Sequence, residues 1–179
     1  MTELEGGISV ESVVIPGTNK SLTGLLYSIV ADGLEEDNLN NKLTEIINTI
    51  TGEFGADHGY IMLKDQSGQL VNVAKAYREV QDNTLITLSN TMVNKVTGSG
   101  SGLIVTDATN DKDFASDPDF QRFNIKTAIC AAVKTPTSIL GAIYNDSKSH
   151  TEWDETKLDL LKLTGLFVGL AINNVQLRK

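Results

Sequence analysis

The densest group of potential ligands in this chain is a run of aspartates: Asp107, Asp111, Asp113, Asp117 and Asp119. Carboxylates this close together could hold a calcium ion. A calcium loop of the EF-hand type needs glycine at its sixth position and glutamate at its twelfth. Counted from Asp107, those positions hold Lys112 and Pro118, so that mechanism fails. Aspartates that cap turns and short helices account for the run instead. The one cysteine, Cys130, stands among Ile129, Ala131 and Ala132 and reads as a small buried hydrophobe. A single thiol can form neither an internal disulfide nor a dithiol redox cycle. His58 and His150 lie far apart, and neither has a close acidic ligand set, so no metal site is expected and haem ligation has little to build on. Surface or turn roles are expected for both. The GlySerGlySerGly stretch at 98–102 lacks the Gly-Lys-Ser/Thr ending of a phosphate loop. Its centre is Gly100, which rules out a serine elbow and leaves a flexible connector. With no nucleophile–base set in view, the expectation is a protein without catalytic residues, not an enzyme.

Bulk properties narrow the partners. The chain has 179 residues and a formal charge of −8, with its basic residues scattered. Binding by phosphate neutralisation needs a concentrated basic patch, so no nucleic acid is expected. The lone cysteine suits a reducing, cytoplasmic setting. The acidic N-terminus does not read as a signal peptide, and no run of about 20 apolar residues is found, so no membrane partner is expected.

The elements that must position any site follow from periodicity. Residues 1–19 read as a leader or an edge strand, ended by Pro16-Gly17. A helix is expected over about 21–31, with Leu22, Leu25, Leu26, Ile29 and Val30 at helical spacing and a stop at Asp32-Gly33. The 20–34 segment is therefore assigned as an N-terminal helix, and 35–179 as the main domain. A second helix is expected over about 37–53, with Asp37 as N-cap. Two hairpins are expected: residues 60–64 with 70–76, turning at 65–68, and 127–134 with 139–145, turning at 135–138. A short helix at 89–97 and a strand at 103–106 lie between them. Thr151-Glu-Trp-Asp154 fits a capping box, predicting a helix from Glu152 to about Leu177, roughly 38 Å long at 1.5 Å per residue. The sum is an α+β domain: a central, mostly antiparallel sheet of five to six strands, with N- and C-terminal helices on one face.

This order, carried by particular segments, resembles the GAF domain family from about Leu39 to Leu177. IINTITGEFGADHGYIMLKD resembles the family's entry, where a Gly-Ala-Asp turn (Gly55-Ala56-Asp57) precedes the first core strand. LIVTDATNDKDFASDPDF resembles its strand, Asp-Ala and acidic loop, and IKTAICAAV the strand that follows. LGAIYNDSKSHTEWDETKLDLLKLTGLFVGLAINNVQL resembles its closing strand and long helix. The resemblance implies a pocket for a small molecule under loops and short helices on the second face of the sheet. It implies Tyr60, Met62, Phe114, Phe123, Ala128 and Cys130 as pocket residues. It also implies regulation of an attached output domain in a longer signalling protein, with dimers formed through the terminal helices. The cyclic-nucleotide branch carries an Asn-Lys-Phe-Asp-Glu motif; Lys148, Asp154 and Glu155 stand in comparable places, but Ser147 replaces the Asn and His150 the Phe. Cyclic AMP and cyclic GMP are therefore the named candidates for a ligand. The bilin branch attaches its chromophore to a cysteine in a helix, whereas Cys130 falls in an expected strand, so no bilin is expected. The alternative is a ligand-free dimerisation module with a self-filled pocket.

The last helix is apolar on two stripes. One is Leu158, Leu161, Gly165, Val168, Ile172 and Val175; the other is Leu160, Leu163, Phe167, Leu170, Asn174 and Leu177. One stripe can cover the helix's own sheet, and a second needs a second partner. The first stripe is assigned to the dimer helix, so that Leu161→Glu or Val168→Glu is expected to give monomers.

Overall fold

In the computed structural model, residues 21–32, 38–79 and 86–177 are described. Their elements are α1 (Leu22–Asp32), α2 (Leu39–Phe54), β1 (His58–Lys64), β2 (Leu70–Tyr77), α3 (Asn90–Ser99), β3 (Gly102–Val105), α4 (Pro118–Arg122), β4 (Thr127–Lys134), β5 (Ile139–Ser147) and α5 (Glu155–Leu177). The leader over 1–19, the stop at Gly33 and the proposed cap Asp37 lie outside the described residues. Asn38 precedes α2, without a capping side-chain bond.

The five strands form one sheet in the order β2-β1-β5-β4-β3, every neighbouring pair antiparallel. Side chains alternate between the faces of each strand. Ile61, Ile129, Val133 and Ile143 therefore point to one face, where α1, α2 and α5 cover them in one aliphatic core. Tyr60, Met62, Tyr144, Ala128 and Cys130 point to the other, under α3, α4 and the connections between them. This is the expected α+β arrangement, with terminal helices on one side and short helices and loops on the other.

Three expectations need correction. The long helix starts at Glu155 rather than Glu152, and its cap is Asp154, whose Oδ1 accepts the Lys157 N–H at 2.9 Å. The segment before it is held out of the helix by Trp153, a core residue whose Nε1 donates to the Phe54 carbonyl at 2.8 Å. The GlySerGlySerGly stretch is not a loose connector. It is divided between the end of α3 and the start of β3, with Gly100 in the left-handed conformation that ends the helix (φ 68°).

The stripe assigned to the dimer helix is the third. Leu158, Leu161, Gly165, Val168, Ile172 and Val175 are all buried against this chain's own sheet and helices. A Cβ added at Gly165 would lie 2.1 Å from the Ala132 carbonyl oxygen, and one at Gly169 would lie 2.1 Å from that of Lys134. The two glycines let α5 lie directly on the backbone of β4. The outward stripe is the other one, where Leu163, Leu170 and Leu177 are exposed. Without an unbroken run of about 20 apolar residues, the helix is still long and apolar enough by length and composition to cross a membrane. The buried stripe shows why: α5 is one of the main walls of the core.

Candidate functional site

The second face of the sheet is built in rows, because antiparallel register sets residues side by side. Tyr77, His58, Asp146 and Ala128 are successive partners across β2, β1, β5 and β4. The next row is Lys75, Tyr60, Tyr144 and Cys130. Beyond it, Met62 pairs with Asn72 and Ala142. Polar character therefore falls from the first row to the middle of the face and returns at the hairpin end.

In the first row the His58 Nδ1 lies 2.6 Å from Asp146 Oδ1, and both side chains are almost wholly buried. The Tyr77 ring stands edge-on to the imidazole at 5.8 Å. Burial pushes the Asp146 carboxyl above the usual carboxylate range, against the pull of His58. Asp146 Oδ2 and the Tyr77 hydroxyl have no hydrogen-bond partner among the described residues. Just outside this row, Asp57, His58, Arg78, Glu79 and Lys148 line a small recess of about 190 Å³. Sequence spacing gave no hint of the His58–Asp146 pair, whose members are 88 residues apart. A turn or surface role for His58 is thus replaced by a buried one.

The middle row is filled. Tyr60, Tyr144 and Cys130 are fully enclosed, with Phe114 beside them. The Tyr60 hydroxyl accepts the Thr87 N–H at 3.1 Å, and burial raises the tyrosine's pKa. Burial also drives the Cys130 thiol far above its ordinary range, which suppresses the nucleophilic thiolate.

At the hairpin end a cleft of about 670 Å³ opens between the sheet and the two short helices. Met62, Lys64, Gln69, Leu70 and Asn72 come from the β1–β2 hairpin. Ile86 and Leu88 lead into α3, which adds Asn90, Val93, Asn94 and Thr97; Asp119, Arg122 and Phe123 come from α4 and its end. The two helices are fastened to each other at this cleft. Ser89 caps α3, Asp117 caps α4, and the two side chains meet at 3.3 Å. Asp119 Oδ2 accepts from both the backbone and the side-chain amide of Asn90, at 3.0 and 3.1 Å. The cleft thus has an apolar floor of Met62, Leu70, Val93 and Phe123, with carboxamides and two cations, Lys64 and Arg122, around it. Such a mix of apolar surface and a few polar groups is how small-molecule sites are usually made.

Of the six residues singled out from the sequence for the pocket, Met62 and Phe123 line this cleft, and Tyr60, Phe114, Ala128 and Cys130 lie in the packed core beside it. Lys148, Asp154 and Glu155 are elsewhere. The Lys148 N–H donates to Asp57 Oδ2, Asp154 caps α5, and Glu155 is exposed in its first turn. Three aspartates of the run are turn or helix caps: Asp107 accepts from the Thr109 N–H, Asp111 from those of Asp113 and Phe114, Asp117 from those of Asp119 and Phe120. The other two serve elsewhere, Asp113 in an ion pair with Lys95 at 3.3 Å and Asp119 as the acceptor for Asn90. Among the described residues no group of His, Cys, Asp and Glu is placed to hold a metal. The cleft residues the sequence did not reveal, Asn72, Asn90, Asn94 and Arg122, carry no recognisable spacing and become neighbours only in three dimensions.

Comparison with known proteins agrees with this architecture. The GAF domain model matches residues 38–172. Among solved structures, the phycoerythrobilin-bound GAF domain of a cyanobacterial phytochrome superposes with a TM-score of 0.69 at 14% identity, covering 90% of this chain and 99% of that one. A free methionine-R-sulfoxide reductase from Neisseria meningitidis, in complex with its substrate, gives 0.67 at 18% identity, covering 88% and 89%. The GAF domain of an Acinetobacter phosphoenolpyruvate-protein phosphotransferase gives 0.66 at 15% identity, covering 87% and 92%. No curated protein sequence matches the chain.

Proposed function

The chain belongs to the GAF domain family, a sensory and regulatory fold, and from that premise we propose that it binds a small molecule in the cleft between the β1–β2 hairpin and the α3–α4 pair. The observation that carries this reading is the cleft itself: about 670 Å³, open, floored by apolar side chains and edged by Asn72, Asn90, Asn94, Lys64 and Arg122. Carboxamides suit the edge of a heteroaromatic ring, and two cations suit an anionic group, so cyclic AMP and cyclic GMP head the candidates. The Lys148, Asp154 and Glu155 set gives that choice no support, because none of the three lines the cleft. Binding would shift the α3–α4 pair, and the change would pass through the sheet to the terminal helices and an attached output domain, in a homodimer.

A regulatory rather than catalytic role is the reading for the buried thiol as well. Cys130 is sealed under the middle row, with its pKa raised by burial, which suits neither a redox cycle nor attachment of a bilin. Titration calorimetry with cyclic AMP and cyclic GMP, together with mass spectrometry of small molecules released from the denatured protein, tests the reading. Heat with either nucleotide that vanishes in Asn94→Ala and Arg122→Ala supports it. Silence in both measurements would sink it.

A second reading has its own observation. Tyr60, Tyr144, Phe114 and Cys130 close the centre of this face completely. On that reading the domain is a ligand-free dimerisation module, and the cleft is only the rim of a self-filled pocket. It expects association without any ligand.

A further inference from the structure

The buried pair of the first row stands apart from the cleft. His58 and the cleft residue Lys64 are the two ends of β1, about 20 Å apart at roughly 3.3 Å per residue. The recess beside His58 is therefore a separate place. All five of its lining residues, Asp57, His58, Arg78, Glu79 and Lys148, can carry charge. It is smaller than the roughly 300–1,000 Å³ of drug-sized pockets, which limits an occupant to a few heavy atoms.

Asp57 fixes the frame of the recess. Its N–H donates to the Asp146 carbonyl and its carbonyl accepts from the Arg78 N–H, each at 2.9 Å. Its Oδ2 accepts from the Ser147 hydroxyl and the Lys148 N–H, at 2.9 and 2.8 Å. Asp57 is thus occupied in holding the two cation-bearing segments together. The cations themselves are loosely engaged. Arg78 Nη1 lies 3.9 Å from Asp57 Oδ1 and 3.5 Å from the Gly55 carbonyl. The Lys148 side chain is exposed and has no ion pair among the described residues. His58 has Nδ1 turned to Asp146, which leaves Nε2 as the ring's remaining polar atom. A protonated Asp146 donates to Nδ1 and puts the ring hydrogen on Nε2, a third donor for an anionic group.

Two cations and a donor suit a carboxylate, and Glu79, which lines the same recess, suits an ammonium. With Asp57 and Glu79 set against Arg78 and Lys148, the formal charges cancel, so the recess favours neither a bare anion nor a bare cation. A small molecule carrying both charges matches it. We propose that the recess is a second ligand site, which binds a small α-amino acid with its carboxylate between Arg78, Lys148 and His58 and its ammonium at Glu79.

Two-dimensional amide NMR spectra of the chain test this. The Arg78, Glu79 and Lys148 amides should shift and saturate with glycine and with L-alanine at millimolar concentration. Acetate and methylamine each lack one charged contact and should bind about tenfold more weakly. Arg78→Gln should weaken glycine by a similar factor. Glu79→Gln should weaken glycine while leaving acetate unchanged or tighter, a change of selectivity that damaged folding would not produce. Both side chains are exposed, so both variants should fold. Absence of saturable shifts with both amino acids overturns the proposal. So does acetate binding as tightly as glycine, and so does a Glu79→Gln protein that holds glycine as the wild type does. Shifts confined to the cleft amides overturn it as well, whereas the cleft reading is tested separately by the cyclic nucleotides.

Discussion

The two faces of one sheet are finished in opposite ways. Under α1, α2 and α5 the filling is almost wholly aliphatic, and close contact is bought by glycine: Gly165 and Gly169 bring α5 onto the carbonyls of β4. Under α3 and α4 the same strands present tyrosines, a histidine–carboxylate pair and a cleft with a polar rim. Aliphatic packing tolerates little change in volume but makes no demand on charge. A face with buried polar groups depends on each partner being present. Function is therefore more easily placed on the second face: the first fixes the scaffold, and the second keeps a buried histidine–carboxylate pair and open space.

The comparison is broken most severely on the helix side. Gly165→Val would drive its side chain into the Ala132 carbonyl, a backbone atom that cannot rotate away. The expected loss exceeds about 4 kcal/mol, enough to leave little folded protein in urea titrations. A stable Gly165→Val protein would mean that α5 does not lie on β4 as described. On the other face, His58→Ala should cost about 3 kcal/mol, because Asp146 would be left buried without its partner. A loss within experimental error would show that the pair is hydrated.

How much of this could be read from the chain follows the same division. The aliphatic face was legible because its residues repeat at 3.6 along helices and 2 along strands, as in Leu43, Ile46, Ile47 and Ile50. Both hairpins and the second stripe of α5 came from such periods. The boundary at Asp154 was not legible, since Thr151 offers the same capping pattern and only the tertiary bond from Trp153 to Phe54 decides between them. Which α5 stripe faces inward was not legible either: both have the same spacing, and the deciding signal was the glycine pair. The functional face was read through positions on strands, which found Met62. Its polar half depends on contacts between residues 27 to 88 apart, such as Tyr60 with Thr87 and His58 with Asp146, and no local pattern announces them.

A smaller effect sharpens the comparison through pH. Burial raises Asp146, so its carboxyl keeps a proton in the folded protein at pH values where the unfolded chain has lost it. That contribution to stability is fully present below the unfolded value of about 3.9 and is lost as pH rises from there through the folded value. Asp65 and Asp107 run the other way. Hydrogen bonds from Ser67 and Asn110 lower them, and their contributions are present above the unfolded value and lost as pH falls through the folded one. Asp146→Asn removes the opposing term, so unfolding midpoints measured from pH 4 upward should climb more steeply in the variant than in the wild type. Parallel profiles would show that Asp146 does not titrate in that window.

The smallest change in stability should accompany the largest change in binding. Arg122 is exposed at the end of α4, and its guanidinium lies over the Phe123 ring at 5.2 Å. Removing it in Arg122→Ala forfeits about 0.5 kcal/mol of cation–π attraction and little else, because no buried partner is left unpaired. If the cleft takes an anionic ligand, the same variant loses a charge that faces it, and binding weakens at least tenfold while the melting temperature scarcely moves. The helix face admits no such separation, since every residue that could be changed there is part of the packing. Arg122→Ala with unaltered affinity would place the ligand elsewhere, or show that the rim charge is irrelevant to what the cleft holds. A fall in both quantities would make Arg122 part of the scaffold and erase the distinction between the two faces at that point.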